Sequence, residues 1–243
     1  MDKLHVVIPA YNEEVNIEKV AREWHSIIEN IGGDSKLVII DDGSKDNTYK
    51  ILCNLKRQLP YLEPLTKYNG GHGSTVLYGY NFALDNKADF IFQTDSDGQT
   101  LPSEFWRFWE QRREYRVLIG HRRRRQDGIF RVFVTNVLKF IIWYVFRLNV
   151  TDANTPFRLM NGVTLKRHIV RIPKDCTLPN VMLTVLFISS MEKVKFLPIT
   201  FRARQGGKNS INLKRIVAIG KKSMCEFITI KRSMKNPSSA EAS

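Results

Sequence analysis

Short apolar runs alternate with segments of helical periodicity over the first half of the chain. Four runs have the length of buried strands and end in polar or turn-forming residues. They are HVVIPAY (5–11), KLVIIDDGS (36–44), YLEPLTKYN (61–69) and ADFIFQTD (88–95). Strands that are apolar on both faces and alternate with helices are typical of parallel sheets. The pattern predicts an α/β fold with a mostly parallel, Rossmann-like sheet flanked by helices.

Each run is followed by a segment whose apolar residues recur every three or four positions, as on one face of a helix. These segments predict helices over 13–31, 47–59, 75–87 and 101–114. Asn12 is of a residue type that caps helices, so we expect it to cap the first one.

The polar residues that follow these runs fall on one edge of the predicted sheet. They are Pro9 to Glu13, the pair Asp41 and Asp42, the glycine-rich stretch Gly70 to Ser74, and Asp95-Ser96-Asp97. Ligands of α/β sheets bind beyond the carboxyl ends of the strands. Ordinary loop composition does not explain why the polar residues after all four strands fall on the same edge, so the pattern predicts a binding site there.

Two carboxylates, Asp95 and Asp97, form an Asp-x-Asp motif where the fourth run ends. On an extended segment both point to the same side, and burying two like charges is unfavourable unless a cation compensates them. Mg²⁺ and Mn²⁺ prefer oxygen ligands and would do so. The alternative is a solvated turn, because Asp, Ser, Gly and Gln are ordinary loop residues. The agreement of the four strand ends favours the binding site.

Length and composition predict one large domain, or one with a small appendage, because 243 residues at 43% hydrophobic content can bury a sizeable core. Cys53, Cys176 and Cys225 are odd in number and far apart. This argues against a disulfide framework or a zinc site and fits a reducing compartment. The first residues turn polar too early for a signal peptide, so we expect none.

The formal net charge of +14 indicates an anionic partner: nucleic acid, a membrane surface or a phosphorylated substrate. The charge is uneven along the chain. Acidic residues are common up to Glu114, whereas Arg and Lys accumulate from Arg112 onward. The front half is therefore mildly acidic or neutral, and the back half is strongly basic.

The chain resembles a known family in four successive stretches. VVIPAYNEE, VIIDDGSKDNT, YNGGHGSTVLYGYNFAL and TDSDGQ resemble the signatures of family 2 glycosyltransferases with the GT-A fold. IGHRR, the pair Arg131 and Thr135, TPFRLM and FRARQGGKNS are most similar to the polyprenyl-phosphate members, the dolichyl-phosphate mannose synthase-like enzymes. The likeness covers roughly residues 4 to 212; Pro156 departs from it, standing where such relatives usually have Gly.

The resemblance implies a site for a nucleotide-diphosphate sugar and for Mg²⁺ or Mn²⁺. Asp97 is the expected direct metal ligand, with Asp95 and Gln99 completing or orienting the metal site. The residues expected to bind the nucleotide sugar are Pro9, Tyr11, Glu13, Asp41, Asp42, Gly73, Asp95 and Ser96. Among these, Asp41 and Asp42 would meet the nucleobase and ribose. A metal bridging the diphosphate oxygens would stabilise the charge that develops as the nucleoside diphosphate leaves.

The resemblance also implies a phosphate acceptor. The residues expected to bind it are Arg122, Arg131, Thr135 and Arg204. Relatives that act on sugar hydroxyls carry an acidic motif as general base, whereas TLPNVMLTVLF offers only Asn180. A lipid phosphate needs no base, because its second pKa is about 6. Asp152 is assigned an orienting role next to Arg158, and the catalytic candidates are Asp95, Asp97, Arg122, Arg131 and Asp152.

Two basic segments predict attachment to a membrane. Residues 129–147 are too short and too polar for a membrane-spanning helix, and their mixture of aromatic and cationic residues predicts an interfacial helix, with subunit packing as the alternative. Residues 213–235 form a basic amphipathic segment suited to an anionic surface, or a soluble surface helix. Residues 1–212 would then be the catalytic domain and 236–243 a disordered tail. The sequence continues into no spanning helix, so we expect peripheral attachment at the cytoplasmic face.

The leading hypothesis is an inverting, metal-dependent glycosyltransferase that moves a sugar from a nucleotide donor to a polyprenyl phosphate. The first alternative keeps the donor but uses a saccharide hydroxyl in cell-surface polysaccharide assembly. The second is a basic nucleic-acid-binding protein, which gives no reason for carboxylates at strand ends. We therefore expect no nucleic-acid partner; an oligomer stays open.

Overall fold

One sheet organises the described part of the chain. The computed structural model describes residues 1–122, 129–202 and 222–231, with the backbone alone for 129–135. The strands are β1 (Leu4–Ala10), β2 (Lys36–Asp41), β3 (Leu62–Thr66), β4 (Phe90–Gln93), β5 (Val117–Arg122), β6 (Arg158–Asn161) and β7 (Val194–Ile199). Within these residues they form one seven-stranded sheet in the order β3-β2-β1-β4-β6-β5-β7. Only β6 runs antiparallel to its neighbours there, so the predicted mostly parallel α/β sheet is confirmed.

Helices cover both faces of the sheet. They are α1 (Ile17–Ile31), α2 (Thr48–Leu55), α3 (His72–Asp85), α4 (Phe105–Glu110), α5 (Ile129–Phe146), α6 (Gly162–Ile169), α7 (Pro179–Ser189) and α8 over residues 222–231. α1, α2 and α4 bury their apolar residues in the core of one face. α3, α5, α6, α7 and α8 do so in the core of the other face. The fold is thus a three-layer arrangement with two apolar cores.

The first helix begins later than its sequence predicts. Asn12 does not cap it: α1 starts at Ile17 behind Asn16, whose backbone N–H bonds to the carbonyl of Glu13. Asn12 instead has a φ of 54° and accepts a hydrogen bond from the backbone N–H of Lys45 at 2.8 Å. Asn tolerates this left-handed conformation, so Asn12 joins the loops after β1 and β2 rather than capping a helix.

Close packing of α3 on the sheet fixes where that helix begins. Gly79 faces β1 and β2, and a Cβ at this position would lie 2.4 Å from Val7 Cγ1 and 2.8 Å from Ile40 Cδ1. Only a glycine leaves room for the helix axis to approach so near. The first turn of α3 consequently lies at the carboxyl edge of the sheet.

Stability should fall as the pH drops, because of a histidine in β1. His5 is fully buried, and burial, together with Lys3 and Lys36, lowers its pKa from 6.5 to about 4. Below about pH 6.5 the unfolded chain binds a proton that the folded chain refuses until about pH 4. We expect this group to remove about 3 kcal/mol from the free energy of unfolding between pH 7 and pH 4.

Urea unfolding at pH 7, 6 and 5 measures this loss. Replacement His5→Gln keeps a polar side chain without a proton to gain, so its free energy of unfolding should depend less steeply on pH than that of the wild type. Parallel pH profiles for the two proteins would show that His5 is not the cause.

Candidate active site

The strand register brings the predicted donor residues to one edge. β1 lies between β2 and β4, pairing Ala10 with Asp41 and Val7 with Gln93. Because these pairings are parallel, the loops that follow β1, β2 and β4 leave the sheet side by side. The stretches that carry Tyr11, Asp42 and Asp95 therefore start from three adjacent strands.

The loop after β1 carries both exposed and buried polar groups. Pro9 lies inside the strand and is buried, whereas Tyr11 is 41% exposed. Glu13 is buried; its backbone N–H donates to Thr48 Oγ1 at 2.9 Å, and its carboxylate accepts from Asn16 Nδ2 at 2.9 Å. The side chain of Tyr11 is therefore exposed, and the turn that follows it is held by the hydrogen bonds of Glu13.

The carboxylate of Asp41 is buried and shapes the loop after β2. Its two oxygens accept the backbone N–H of Ser44 at 3.3 and 3.2 Å, and Oδ2 also accepts Thr66 Oγ1 at 3.1 Å. These bonds connect the ends of β2 and β3. The Asp41 carboxylate therefore holds the loop after β2 at the carboxyl edge of the sheet.

The carboxylate of Asp42 organises the glycine-rich loop. Its Oδ1 accepts Lys67 Nζ at 2.5 Å and the backbone N–H of Gly70 at 2.9 Å, and its Oδ2 accepts the N–H of Gly71 at 2.9 Å. Gly71 has a φ of 83°, a conformation that side chains rarely adopt. Asp42 is therefore the centre around which residues 67–71 fold.

The glycine-rich loop leads directly into α3. His72, the first residue of the helix, is exposed. Gly73 is buried against the connection between α6 and α7, where a Cβ would lie 2.2 Å from the carbonyl oxygen of Cys176. Gly73 thus lets a neighbouring backbone touch the start of α3.

The carboxylate pair after β4 includes a buried oxygen that belongs to Asp95. Oδ1 of Asp95 has no hydrogen-bond partner in the part of the chain that the structure describes. Burial, and next the charge of Asp97, raise the pKa of Asp95 well above its usual value, while Arg122 and Arg158 oppose the shift. Ser96 between them is buried. A divalent cation would remove the energetic cost of this arrangement.

Gln99 completes the turn after the carboxylate pair. Its backbone N–H donates to Asp97 Oδ1 at 3.1 Å, and its side-chain amide donates to the carbonyl oxygen of Arg202 at 2.8 Å. Arg202 returns a backbone hydrogen bond to Gln99 at 2.8 Å. The turn is therefore fastened to the segment that follows β7.

The residues after β4 fit a hard divalent cation. In the ranges that the structure describes, no three His, Cys, Asp or Glu side chains form a complete metal site. Mg²⁺ sites commonly use one or two carboxylates and take their other ligands from water and substrate phosphates. Asp95 and Asp97 supply such carboxylates, and the unpartnered oxygen of Asp95 is the observation that fits the ion.

The end of β5 carries a buried ion pair. Arg122 donates to both carboxylate oxygens of Asp152, from Nε at 2.8 Å and from Nη2 at 2.9 Å. Its guanidinium also lies 5.2 Å from the ring centre of Phe201. The two side chains are 9% and 6% exposed, so solvent screens the pair little. The predicted phosphate ligand Arg122 is consequently fixed in place by Asp152.

Arg158 is a fully buried cation that is held mainly by the backbone. Its guanidinium donates to the carbonyl oxygens of Ala153, Thr155 and Asn180 at 2.8 to 3.1 Å. From the sequence, Asp152 is expected to have an orienting role next to Arg158; the charge of Asp152 acts on Arg158, while its two-oxygen ion pair is with Arg122. Arg158 therefore fixes the loop that carries Asp152, which the Phe-Arg pair of TPFRLM does not reveal by itself.

A hydroxyl that sequence reasoning does not single out links α3, β4 and α7. The oxygen of Tyr80 lies 2.6 Å from Gln93 Oε1 and 3.1 Å from Asn180 Oδ1. Burial raises the pKa of Tyr80, so it stays protonated. A Tyr among the apolar residues of a helix gives no sequence signal for such a contact.

The other predicted acceptor residues are only partly described. Arg131 and Thr135 lie one turn apart on α5, and their side chains are outside the described part. Arg204 lies outside the described residues, as do residues 213–221 and 232–235 of the basic segment. The structure thus places Arg122 and the backbone of α5, but not the full predicted set.

The visible part of α5 exposes aromatic side chains. Val137, Phe140, Trp143 and Tyr144 are 40 to 62% exposed, whereas Ile142 and Val145 are buried. Arg147 lies over the rings of Trp143 and Tyr144 at 5.2 and 5.8 Å. None of the helices described here combines the length and apolar character required to cross a bilayer.

Comparison with known proteins agrees with this geometry. Residues 5–171 match the family model described as Glycosyl transferase family 2. The chain is 24% identical over 218 residues to the undecaprenyl-phosphate 4-deoxy-4-formamido-L-arabinose transferase of Klebsiella pneumoniae (strain 342). That match covers 88% of this chain and 64% of the relative, so the chain spans less than two thirds of the relative's length.

Solved structures share the fold. Glucosyl-3-phosphoglycerate synthase from Mycobacterium tuberculosis, in complex with Mn²⁺, UDP and phosphoglyceric acid, superposes with a TM-score of 0.73 at 14% identity, over 95% of this chain and 78% of that one. The same enzyme with Mn²⁺ and UDP-glucose gives a TM-score of 0.70 at 15% identity, over 94% and 79%. The sheet and its flanking helices therefore form a GT-A fold.

Proposed function

The chain belongs to glycosyl transferase family 2, and from that membership we propose that it moves a sugar from a nucleotide-diphosphate sugar to a polyprenyl phosphate. The proposed enzyme inverts the anomeric centre, depends on a divalent metal and works at the cytoplasmic face of a membrane. The observation that carries the donor half is the buried, unpartnered oxygen of Asp95 beside Asp97 at the carboxyl edge.

The donor would lie across the loops after β1, β2 and β4. Pro9, Tyr11 and Glu13 would line the nucleoside pocket, with Asp41 and Asp42 at its floor. Gly73 and Ser96 would contact the sugar-diphosphate part. A bound Mg²⁺ or Mn²⁺ would supply Lewis-acid stabilisation of the leaving diphosphate. Asp95, Asp97 and Gln99 would hold this ion; solved GT-A relatives contain Mn²⁺ and UDP, which supports the assignment.

The acceptor phosphate would lie beside Arg122. Guanidinium forks match phosphate geometry, and Asp152 keeps that of Arg122 oriented. Arg131, Thr135 and Arg204 would complete the phosphate site from α5 and from the segment after β7. A phosphate oxygen would then form the bond to the anomeric carbon as the bond to the nucleoside diphosphate breaks, and no protein base would be needed. The undecaprenyl-phosphate transferase relative supports this acceptor class.

Acceptor comparison tests this proposal. We expect release of nucleoside diphosphate from one of a panel of nucleotide sugars when polyprenyl phosphate is present, and not with the matching polyprenol. Release with saccharides alone would favour a hydroxyl acceptor instead. Binding of RNA without any sugar transfer would favour a nucleic-acid-binding protein.

The membrane surface would be the aromatic face of α5. Aromatic rings with an adjacent Arg suit the boundary between headgroups and acyl chains, and the net positive charge favours anionic lipids. Lys222 and Lys231 on the outer side of α8 are exposed and would add to this attraction.

Changing Phe140, Trp143 and Tyr144 together to Ser should reduce sedimentation with anionic liposomes at least tenfold. These side chains are exposed, so thermal stability should hardly change. Val163 on α6 and Val170 directly after that helix provide a matched control, because Val→Ser at both positions removes exposed apolar surface elsewhere. Equal sedimentation of all three proteins would exclude α5 as the contact.

A further inference from the structure

The helix α8 is packed into the domain rather than laid along its surface. Phe227 and Ile230 are each 1% exposed and belong to the core that contains α3 and α7. The ring of Phe227 meets that of Phe146, the last residue of α5, edge-on at 5.8 Å. α8 therefore packs against the end of α5.

One acidic residue interrupts this buried face. Glu226 is 8% exposed, and its carboxylate accepts the backbone N–H of Thr177 at 3.0 Å and Thr177 Oγ1 at 3.0 Å. Cys176 Sγ donates to it at 3.5 Å, and burial, followed by Glu226, raises the pKa of Cys176 to about 12. Lys222 is 4.0 Å away and half exposed, so it stabilises Glu226 little. The bonds to residues 176 and 177 are what keep the carboxylate buried.

Residues 176 and 177 pack closely against the start of α3. A Cβ at Gly73 would lie 2.2 Å from the carbonyl oxygen of Cys176 and 2.8 Å from that of Thr177. Gly73 follows the loop whose N–H groups at Gly70 and Gly71 bond to Asp42. A displacement of residues 176–177 would consequently move the start of α3 and this loop.

We propose that Glu226 is a positioning residue for donor binding: by holding residues 176–177 against Gly73, it keeps the glycine-rich loop in its donor-binding arrangement. The inference rests on the proposed function for the identity of the donor. It gives α8, which is distant in sequence from every donor motif, a part in the donor site. The bonds of Glu226 described above go to residues 176 and 177, whereas the guanidinium of Arg122 is held by Asp152.

Replacement Glu226→Ala should raise the KM for the nucleotide sugar about tenfold, with kcat and the KM for polyprenyl phosphate within about threefold of wild type. Glu226→Gln retains an acceptor oxygen for Thr177 and should restore most of the affinity. Thr229→Ala is the matched control, because Thr229 is exposed on the same helix and its hydroxyl bonds only locally, to the carbonyl of Cys225.

Hydrogen exchange of the full chain distinguishes positioning from general destabilisation. In Glu226→Ala we expect faster exchange at residues 70–77 and 176–178 and unchanged exchange in β1, β2 and α1. Thr177→Ala removes only the hydroxyl that donates to Glu226, so it should give the same local pattern of faster exchange at smaller amplitude. This variant replaces Glu226→Ala in the experiment if Glu226→Ala does not fold. Exchange that is unchanged, or faster throughout the chain, would overturn the proposal.

Nucleotide binding separates this inference from the proposed function. Titration of UDP and of GDP, each with Mn²⁺, should show weaker binding to Glu226→Ala than to Glu226→Gln. If neither nucleotide binds the wild type, the donor half of the proposed function fails, whereas the exchange experiment still decides whether Glu226 positions the loop. Equal nucleotide affinity in the Ala, Gln and wild-type proteins would overturn the positioning role.

Discussion

Asp97→Asn should lower divalent-dependent turnover by about 10³-fold, which corresponds to several kcal/mol of transition-state stabilisation. An amide is a weaker ligand for a hard cation than a carboxylate and carries no charge to balance it. The substitution also removes the repulsion between Asp97 and Asp95, which lies beside it with an unpartnered buried oxygen. The metal-free variant should therefore be at least as stable as the wild type while binding Mn²⁺ more weakly.

Calorimetric titration of Mn²⁺ in the presence of UDP, alongside thermal unfolding without metal, measures both effects. Asp85→Asn makes the same chemical change at an exposed position near the end of α3 and should behave as wild type. Undiminished Mn²⁺ affinity in Asp97→Asn would contradict the assignment of Asp97 as a metal ligand. Full wild-type turnover with excess chelator would contradict the metal dependence itself.

Arg122→Ala should raise the KM for polyprenyl phosphate by about 50-fold or abolish transfer, since a charge-assisted hydrogen bond contributes roughly 2 kcal/mol or more. Nucleotide affinity should stay within a few-fold of wild type. The substitution removes both charge-assisted bonds from Arg122 to the buried carboxylate of Asp152, so the variant should also lose about 3 kcal/mol of stability.

A double variant separates the stability effect from the acceptor effect. Arg122→Met combined with Asp152→Asn removes both charges and should recover much of the stability without recovering lipid affinity. Arg113→Ala, at an exposed position, is the control. If the double variant regains its lipid KM, Arg122 serves the fold alone; if Arg122→Ala loses nucleotide binding instead, it belongs to the donor site.

The first half of the fold is predictable because its strands are buried on both faces. β1, β2 and β4 are mostly apolar, and each is followed by a segment of helical spacing. β5 to β7 give weaker signals. β6 is only four residues long and begins with the buried Arg158, and β7 is partly exposed at the sheet edge. Their pairing is set by contacts between distant segments, which no local pattern encodes.

The candidate site also combines residues that the sequence identifies with contacts that it does not. Asp95 and Asp97 are recognisable because their spacing alone places two carboxylates together. The partners of Asp42 are not, since Lys67, Gly70 and Gly71 reach it only once the loop has folded. Arg122 and Asp152 are 30 residues apart, and only the completed fold brings them together. Sequence identifies the chemical groups, and tertiary structure decides which of them are bound to one another.

Mass spectrometry of the lipid fraction tests the proposed transfer most directly. The full chain is incubated with a panel of nucleotide sugars, Mn²⁺ and polyprenyl phosphate in anionic vesicles, and the lipids are extracted and fragmented. We predict a product whose mass exceeds that of polyprenyl phosphate by one sugar residue and whose fragments retain the sugar on phosphate, with none formed by Asp97→Asn. An unchanged lipid together with glycosylated saccharide in a parallel reaction would contradict the polyprenyl-phosphate acceptor.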